Sequence, residues 1–364
     1  MAVRILSIDG GGLRGLLPLW VLREIEAYTD KKVFDCFDFF AGSSTGGIIS
    51  AGLTIPKDAT SKAPKLTIEN IIQLYEERGK DIFPSGGWFT EKWKKCPYSY
   101  PFRPMFSNHG MKAVLEEFFQ SYTIRDCLKP IMIPTYSITR MQPLWFLSRI
   151  THPSERNKID PALADAYNVS LVDALMAATA APTYLPAYPI IFGLDTNTND
   201  VCIDGGIYQN NPTNAALVEL FRNMPEYSQK FQLHNSPVID LDDLFVLSIG
   251  TGRFNKSKEE RLQLTNAGKL KWAQPAIDIS MWGNAQAVDF QTNEWLDFGT
   301  QGKRKINYLR INFDLLESNF SDMTNASQPF RDYYLQNFEK QFLDNRLIRS
   351  QLAEFLEQSG IYRL

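Results

Sequence analysis

Short apolar runs broken by glycine clusters alternate with stretches of helical periodicity along most of the chain. Arg4 to Ile8 is apolar enough for a short buried strand, and Asp9-Gly10-Gly11-Gly12-Leu13-Arg14-Gly15 follows it directly. Leu16, Leu17, Trp20, Val21 and Ile25 then share one helical face. Phe37 to Ala41 reads as a second strand, running through Gly42-Ser43-Ser44-Thr45-Gly46-Gly47 into a short buried helix over Ile48 to Leu53. Strand, glycine turn and helix thus occur twice near the N-terminus, which is the opening of an α/β fold.

The same alternation continues. Ile68 to Gly79 is amphipathic, with Ile71, Ile72 and Tyr75 on one face, and Met111 to Phe119 and Leu171 to Ala178 are also helical. Pro130 to Ile138 and Leu144 to Leu147 read as strands joined by a turn around Met141-Gln142-Pro143. Val201 to Ile203 is a strand entering Asp204-Gly205-Gly206, and Thr213 to Arg222 is a helix after Pro212. Leu244 to Ile249 is a strand ending in Gly250-Thr251-Gly252, Ile306 to Ile311 a last strand, and Arg331 to Leu356 a long helical stretch. No repeat or low-complexity linker interrupts them, so one doubly wound α/β domain is expected. Asp81 to Phe106 and Lys256 to Gln301 read as loop-like or irregular accessory segments.

Composition narrows the function classes. In 364 residues, 38 Lys+Arg against 41 Asp+Glu give a net charge of −3, which argues against bulk electrostatic binding to nucleic acid. The four cysteines, Cys36, Cys96, Cys127 and Cys202, form no CxxC pair, so neither a disulfide framework nor a zinc knuckle is legible. The N-terminus meets Asp9 too soon for a signal peptide. The two long uncharged runs, Ala174 to Leu194 and Phe39 to Pro56, are broken by prolines or rich in glycine and serine, unlike a membrane span. A cytoplasmic protein is expected, with peripheral binding at a membrane surface left open.

The chemistry concentrates in three glycine-flanked segments. Gly42-Ser43-Ser44-Thr45-Gly46 fits G-x-S-x-G between a strand and a helix, where small neighbours let a nucleophilic serine sit on a sharp, strained turn. Ser44 is therefore the candidate nucleophile at a helix N-terminus, and Ser43 lacks the matching flanks. Gly10 to Gly15 satisfies G-x-G-x-x-G, but Asp30 lies at what looks like a helix end and not at the strand end a dinucleotide site requires. No Gly-Lys-Ser/Thr follows for a phosphate loop. The loop fits an oxyanion hole, with successive backbone N–H groups of Gly10, Gly11 and Gly12 and positive character from Arg14. A structural tight turn is the bland reading. Of the three histidines, His109, His152 and His234, each reads as a surface or satisfied residue; Asp204 and His234 follow Ser44 in the order of a hydrolase triad, but His234 sits in a polar loop with nothing to position it. Asp204, delivered by a strand into Gly205-Gly206, is a general base if it contacts the serine away from water; an ordinary Asp-Gly turn is the alternative.

These blocks, in this order, resemble the patatin-like phospholipases. Two more agree: Ala180-Ala181-Pro182-Thr183-Tyr184-Leu185-Pro186, with Leu185 where the family has an aromatic residue, and the run from Asp204 to Asn210-Asn211-Pro212. The resemblance covers residues 3 to about 315. It implies a three-layer α/β/α fold with a mostly parallel central sheet and a nucleophile elbow. It also implies a catalytic domain over 1–315, with a C-terminal helical segment, 316–364, packed on the same domain. At the site it implies a Ser44–Asp204 dyad without histidine, an oxyanion hole from Gly10, Gly11 and Gly12, and Arg14 as support. The implied reaction is hydrolysis of fatty-acyl esters of membrane lipids or phospholipids through an acyl-enzyme, with no cofactor and no metal.

Asp81 to Phe106 adds an independent hint, since eight aromatic residues interleave with Lys92, Lys94, Lys95 and Arg103. Such a mixture suits a lipid–water interface or a loop packed over the active-site mouth. Phe338, Phe342 and Phe355 in the C-terminal stretch suit a core or a dimer face. The alternatives are a general carboxylesterase or lysophospholipase and a regulated membrane-degrading effector, such as a toxin or a cyclic-nucleotide-triggered enzyme. A homo-oligomer and a small-molecule activator stay open. A catalytically silent binding protein is the reading from outside enzymology.

Overall fold

Every position of Val3–Ile8 except Arg4 is buried, as befits a strand with neighbours on both edges and layers on both faces. The computed structural model describes residues 2–84, 104–148, 168–191, 199–232, 240–254, 262, 264–299 and 306–362. Its strands are β1 (Val3–Ile8), β2 (Phe39–Gly42), β3 (Ile131–Ser137), β4 (Gln142–Leu147), β5 (Tyr188–Ile190), β6 (Asp200–Asp204), β7 (Leu244–Ile249), β8 (Arg253–Phe254), β9 (Tyr308–Ile311) and β10 (Asp314–Leu315). The main sheet runs β5-β6-β3-β2-β1-β7-β9, with β4 also on β3, while β8 and β10 pair separately. Pairs among β3, β2, β1, β7 and β9 are parallel; β4, β5 and β6 join in antiparallel pairs.

The alternation of strand side chains separates two cores. Leu6, Ile8, Phe40, Phe245, Leu247 and Ile249 face one layer of helices. That layer holds α1 (Leu16–Thr29), α2 (Thr45–Thr54), α3 (Ile68–Ile82), α4 (Asn108–Phe119) and α5 (Leu171–Ala178). Val3, Ile5, Phe39, Ala41, Leu244 and Val246 face the other, formed by α6 (Thr213–Phe231) and α7 (Lys269–Gly299). The result is the expected three-layer α/β/α arrangement. Among the described residues, no helix is long and apolar enough to cross a membrane.

Two expectations need correction. The segment read as irregular over Lys256–Gln301 contains the 31-residue helix α7. Its buried positions Met281, Ala285, Val288, Thr292 and Leu296 make a narrow stripe, while Ile279 and Phe290 stand exposed elsewhere on the helix, so the amphipathic contrast is weak. The C-terminal stretch is two helices, α8 (Gln328–Phe338) and α9 (Arg346–Gln358), separated by a π-helical segment over Glu339–Leu343. Asn345 starts the second by accepting the Ile348 N–H at 3.2 Å. Phe338, Phe342 and Phe355 are all buried, Phe338 against Trp20 of α1, which makes this face core.

Strand lengths position the site. Because β4 covers Met132–Ser137 on one edge of β3, β2 and β6 share the other edge. β2 pairs only with Ile131 and Met132, which leaves Thr135–Ser137 for β6 and brings Asp204 in just beyond the end of β2. Ile8, Gly42 and Ile249 lie in register, so the loops after β1, β2 and β7 leave the sheet side by side.

Candidate active site

Ser44 is the N-cap of α2, with φ 51° and ψ −117°, a left-handed conformation strained for a residue with a side chain. The sharp turn explains its two flanking glycines. A Cβ on Gly42 would overlap the Gly46 carbonyl, and one on Gly46 would overlap the carbonyl of Ile8. The Ser44 hydroxyl donates to Asp204 Oδ2 at 2.6 Å, across 160 residues of sequence. The other oxygen, Oδ1, accepts the Gly206 N–H at 2.7 Å, so the Asp-Gly-Gly turn orients the carboxylate. Burial pushes the Asp204 carboxyl up to about 6, against the pull of the Ser44 and Gly206 hydrogen bonds. That leaves it ionised at neutral pH yet close to the range in which a carboxylate exchanges protons readily.

The glycine loop lies next to this pair, and the structure divides its three glycines. Gly10 donates its N–H to the Asn210 carbonyl at 3.1 Å, tying the loop to the run after Asp204. Gly11 and Gly12 line the cavity that contains Ser44 and Asp204. Gly12 needs to be glycine, with φ +59° and a would-be Cβ 2.6 Å from the Met323 carbonyl. The Arg14 guanidinium is buried beneath the loop; Nε donates to the Gly11 carbonyl at 3.2 Å, and the group sits over Phe254. Arg14 therefore supports the loop from behind. The N–H of Thr45, in the first turn of α2, has no intrahelical acceptor and lies beside Ser44.

Several contributors were not visible as motifs. Asp9 is gripped by Arg310 from β9, with Nη1 donating to Oδ1 at 2.8 Å and Nη2 to Oδ2. Arg310 Nη1 also donates to Ser248 at 2.7 Å. Burial works against both charges, but the Asp9 carboxylate holds Arg310 as a firm cation. The Tyr75 hydroxyl pairs with Thr45 Oγ1 and donates to the Thr45 carbonyl at 3.2 Å, bracing the start of α2. The sequence pattern placed Tyr75 on a buried face without showing this contact. Thr251 Oγ1 donates to the Gly10 carbonyl at 2.5 Å.

From Ser44 the cavity leads between Leu13, Ile48, Leu74, Ile82, Phe83, Met111 and Leu185, with Tyr184, Met281 and Met323 also in its walls. Its deep wall is apolar. The Ala180–Pro186 block contributes Tyr184 and Leu185, and the Ala180 carbonyl accepts the Asp204 N–H at 3.0 Å. Among the candidate histidines, His109 is exposed on α4; His152 and His234 lie outside the described residues, as do Cys96 and most of the aromatic segment between Asp81 and Phe106.

A family model described as patatin-like phospholipase matches residues 6–217. The chain is 29% identical over 370 residues to patatin-like protein 4 of Arabidopsis thaliana, covering 97% of this chain and 86% of that protein. It is 31% identical over 334 residues to patatin-like protein 2 of the same plant, covering 86% and 76%. With patatin-like protein 1 of Oryza sativa subsp. indica, identity is 30% over 307 residues, covering 79% and 69%. Among solved structures, VipD from Legionella pneumophila aligns over 93% of this chain and 67% of its own at 11% identity and a TM-score of 0.37.

Proposed function

Because this chain belongs to the patatin-like phospholipase family and is thereby a lipid acyl hydrolase, we propose that it cleaves fatty-acyl esters through a Ser44–Asp204 dyad. The observation that carries this reading is the 2.6 Å hydrogen bond from the strained Ser44 to a buried carboxylate. As Ser44 Oγ attacks the ester carbonyl, its proton passes to Asp204 Oδ2. The carbonyl oxygen gains the negative charge and is met by the N–H groups of Gly11 and Gly12, which cost no reorganisation because the loop is already formed. The tetrahedral species collapses to an acyl-enzyme, and Asp204 returns its proton to the departing alcohol. Water then repeats the sequence: Asp204 takes its proton, the acyl–Ser44 bond breaks, and Ser44 is reprotonated as the fatty acid leaves.

The apolar cavity supports an acyl chain as the group held during this reaction, with the headgroup side outside it. Fatty-acid release from a mixture of phospholipids, lysophospholipids, galactolipids and triglycerides tests the reading. Mass spectrometry should detect release by the wild type in EDTA, reduced at least about a thousandfold in Ser44→Ala. Equal release by the two proteins would remove Ser44 as nucleophile. The product pattern separates phospholipase, lysophospholipase and general esterase activities.

A further inference from the structure

We propose that Thr251 is a positioning residue that aims the Gly11 N–H at the reacting carbonyl; the inference rests on the hydrolase reading above. Thr251 lies outside residues 6–217, the part of the chain matched by the family model. It arrives from the end of β7, whose register with β1 (Ile8 opposite Ile249) sets it beside the glycine loop.

The backbone groups of the loop are fastened one after another. Asp9 donates its N–H to the Ile249 carbonyl at 3.0 Å, and Gly10 donates to Asn210 at 3.1 Å. The Gly10 carbonyl accepts from Thr251 Oγ1 at 2.5 Å, and the Gly11 carbonyl from Arg14 Nε at 3.2 Å. Leu13 donates its N–H to the Met323 carbonyl at 2.9 Å. Among the described residues, no acceptor meets the N–H of Gly11 or of Gly12, the two glycines that line the cavity.

Peptide geometry turns the Thr251 contact into an aiming device. In a planar trans peptide, the carbonyl of one residue and the N–H of the next point in opposite directions. Holding the Gly10 carbonyl on Thr251 therefore fixes the Gly11 N–H on the opposite side of the same plane. Arg14 does the same for the Gly12 N–H through the Gly11 carbonyl. Glycine on both sides of the Gly10–Gly11 peptide offers little resistance to rotation, so the direction must come from outside the loop. Thr251 is also packed against it: a Cβ on Gly11 would fall on Thr251 Oγ1 and lie 2.6 Å from Thr251 Cβ. The side chain is only 3% exposed, so water cannot readily replace its hydroxyl.

Thr251→Val removes the hydroxyl and keeps the shape, while Thr251→Ser keeps the hydroxyl. We expect kcat for a lipid ester to fall about 10- to 100-fold in Thr251→Val with KM within about twofold, and Thr251→Ser to recover most of it. Binding of a trifluoromethyl ketone, whose adduct with Ser44 carries an oxyanion, should weaken in step with kcat. Binding of an unreactive ether analogue of the lipid should not change. Circular dichroism and thermal melting establish that both variants are folded. An unchanged kcat in Thr251→Val would overturn the proposal, as would a loss confined to KM or an equal loss in the serine variant. A wild type that hydrolyses no acyl ester would instead defeat the hydrolase reading, and the proposal with it.

Discussion

In the proposed dyad, Asp204 couples activity to stability. Its native carboxyl keeps its proton up to about pH 6 because burial penalises the anion, whereas an ordinary aspartate loses its proton near 3.8. A protonated Asp204 cannot accept the Ser44 proton, so kcat/KM should rise with pH and level off above about 6; a pH–rate profile flat from 5 to 8 would contradict the assignment. The stability effect has the opposite sense. Between 3.8 and about 6 the native state carries the extra proton, so stability falls as pH rises through that window and the cost persists above it. Asp204→Asn should therefore be inactive yet more stable than wild type at pH 8, by about 2 kcal/mol in urea unfolding, and this advantage should shrink towards pH 4. Ser44 and Asp204 were legible in the sequence because their requirements are local: a sharp turn admits only small flanks, and Asp204 is bound by the N–H two residues on. Tyr75 and Arg310 were not, because their roles arise from contacts across 30 and 301 residues.

Among the elements, α3 is tied to the start of the helix that Ser44 caps by the Tyr75 phenol. Tyr75 pairs with the hydroxyl and carbonyl of Thr45, the first residue of the helix that Ser44 caps. Tyr75→Phe leaves those buried groups without their partner and should lower stability by about 1–2 kcal/mol. A several-fold drop in kcat should accompany it, and stopped activity assays beside thermal melts would separate the two effects. Helix α7 shows the limits of periodicity. Pro275 falls in its second turn, and large apolar residues on more than one face hide the buried stripe that begins at Met281. The shorter helices α3 and α5 were easier to read, since Thr67 and Ser170 cap them; the apolar positions of α3 keep to one side, and those of α5 form one short run buried all round.

Across the whole molecule, the layers were foreseeable from the alternation of strands and helices, but the strand order was not. The sharing of one edge of β3 by β2 and β6 brings Ser44 and Asp204 together, and no local pattern encodes it. The C-terminal helices complete the layer that covers α1. Phe338 stacks on Phe342 at 5.3 Å and meets Trp20 at 5.6 Å, so α8 braces the helix that follows the glycine loop. Phe338→Ala should cost about 3–5 kcal/mol in urea unfolding, with specific activity per folded molecule preserved at 25 °C. A loss of only a few tenths of a kcal/mol would mean that this aromatic cluster contributes little to the core.

The grip of Arg310 on Asp9 spans 301 residues, and that distance acts as a clock during synthesis. At about 5–20 residues per second, the first aspartate waits on the order of 15–60 s for its guanidinium to be translated. Ser44 and Asp204 are both made well before then, as is Thr251. A chain that has grown past Thr251 thus carries Ser44 and Asp204 while the ion pair anchoring the glycine loop is still unmade, and on the proposed mechanism the power to cut lipids waits for β9.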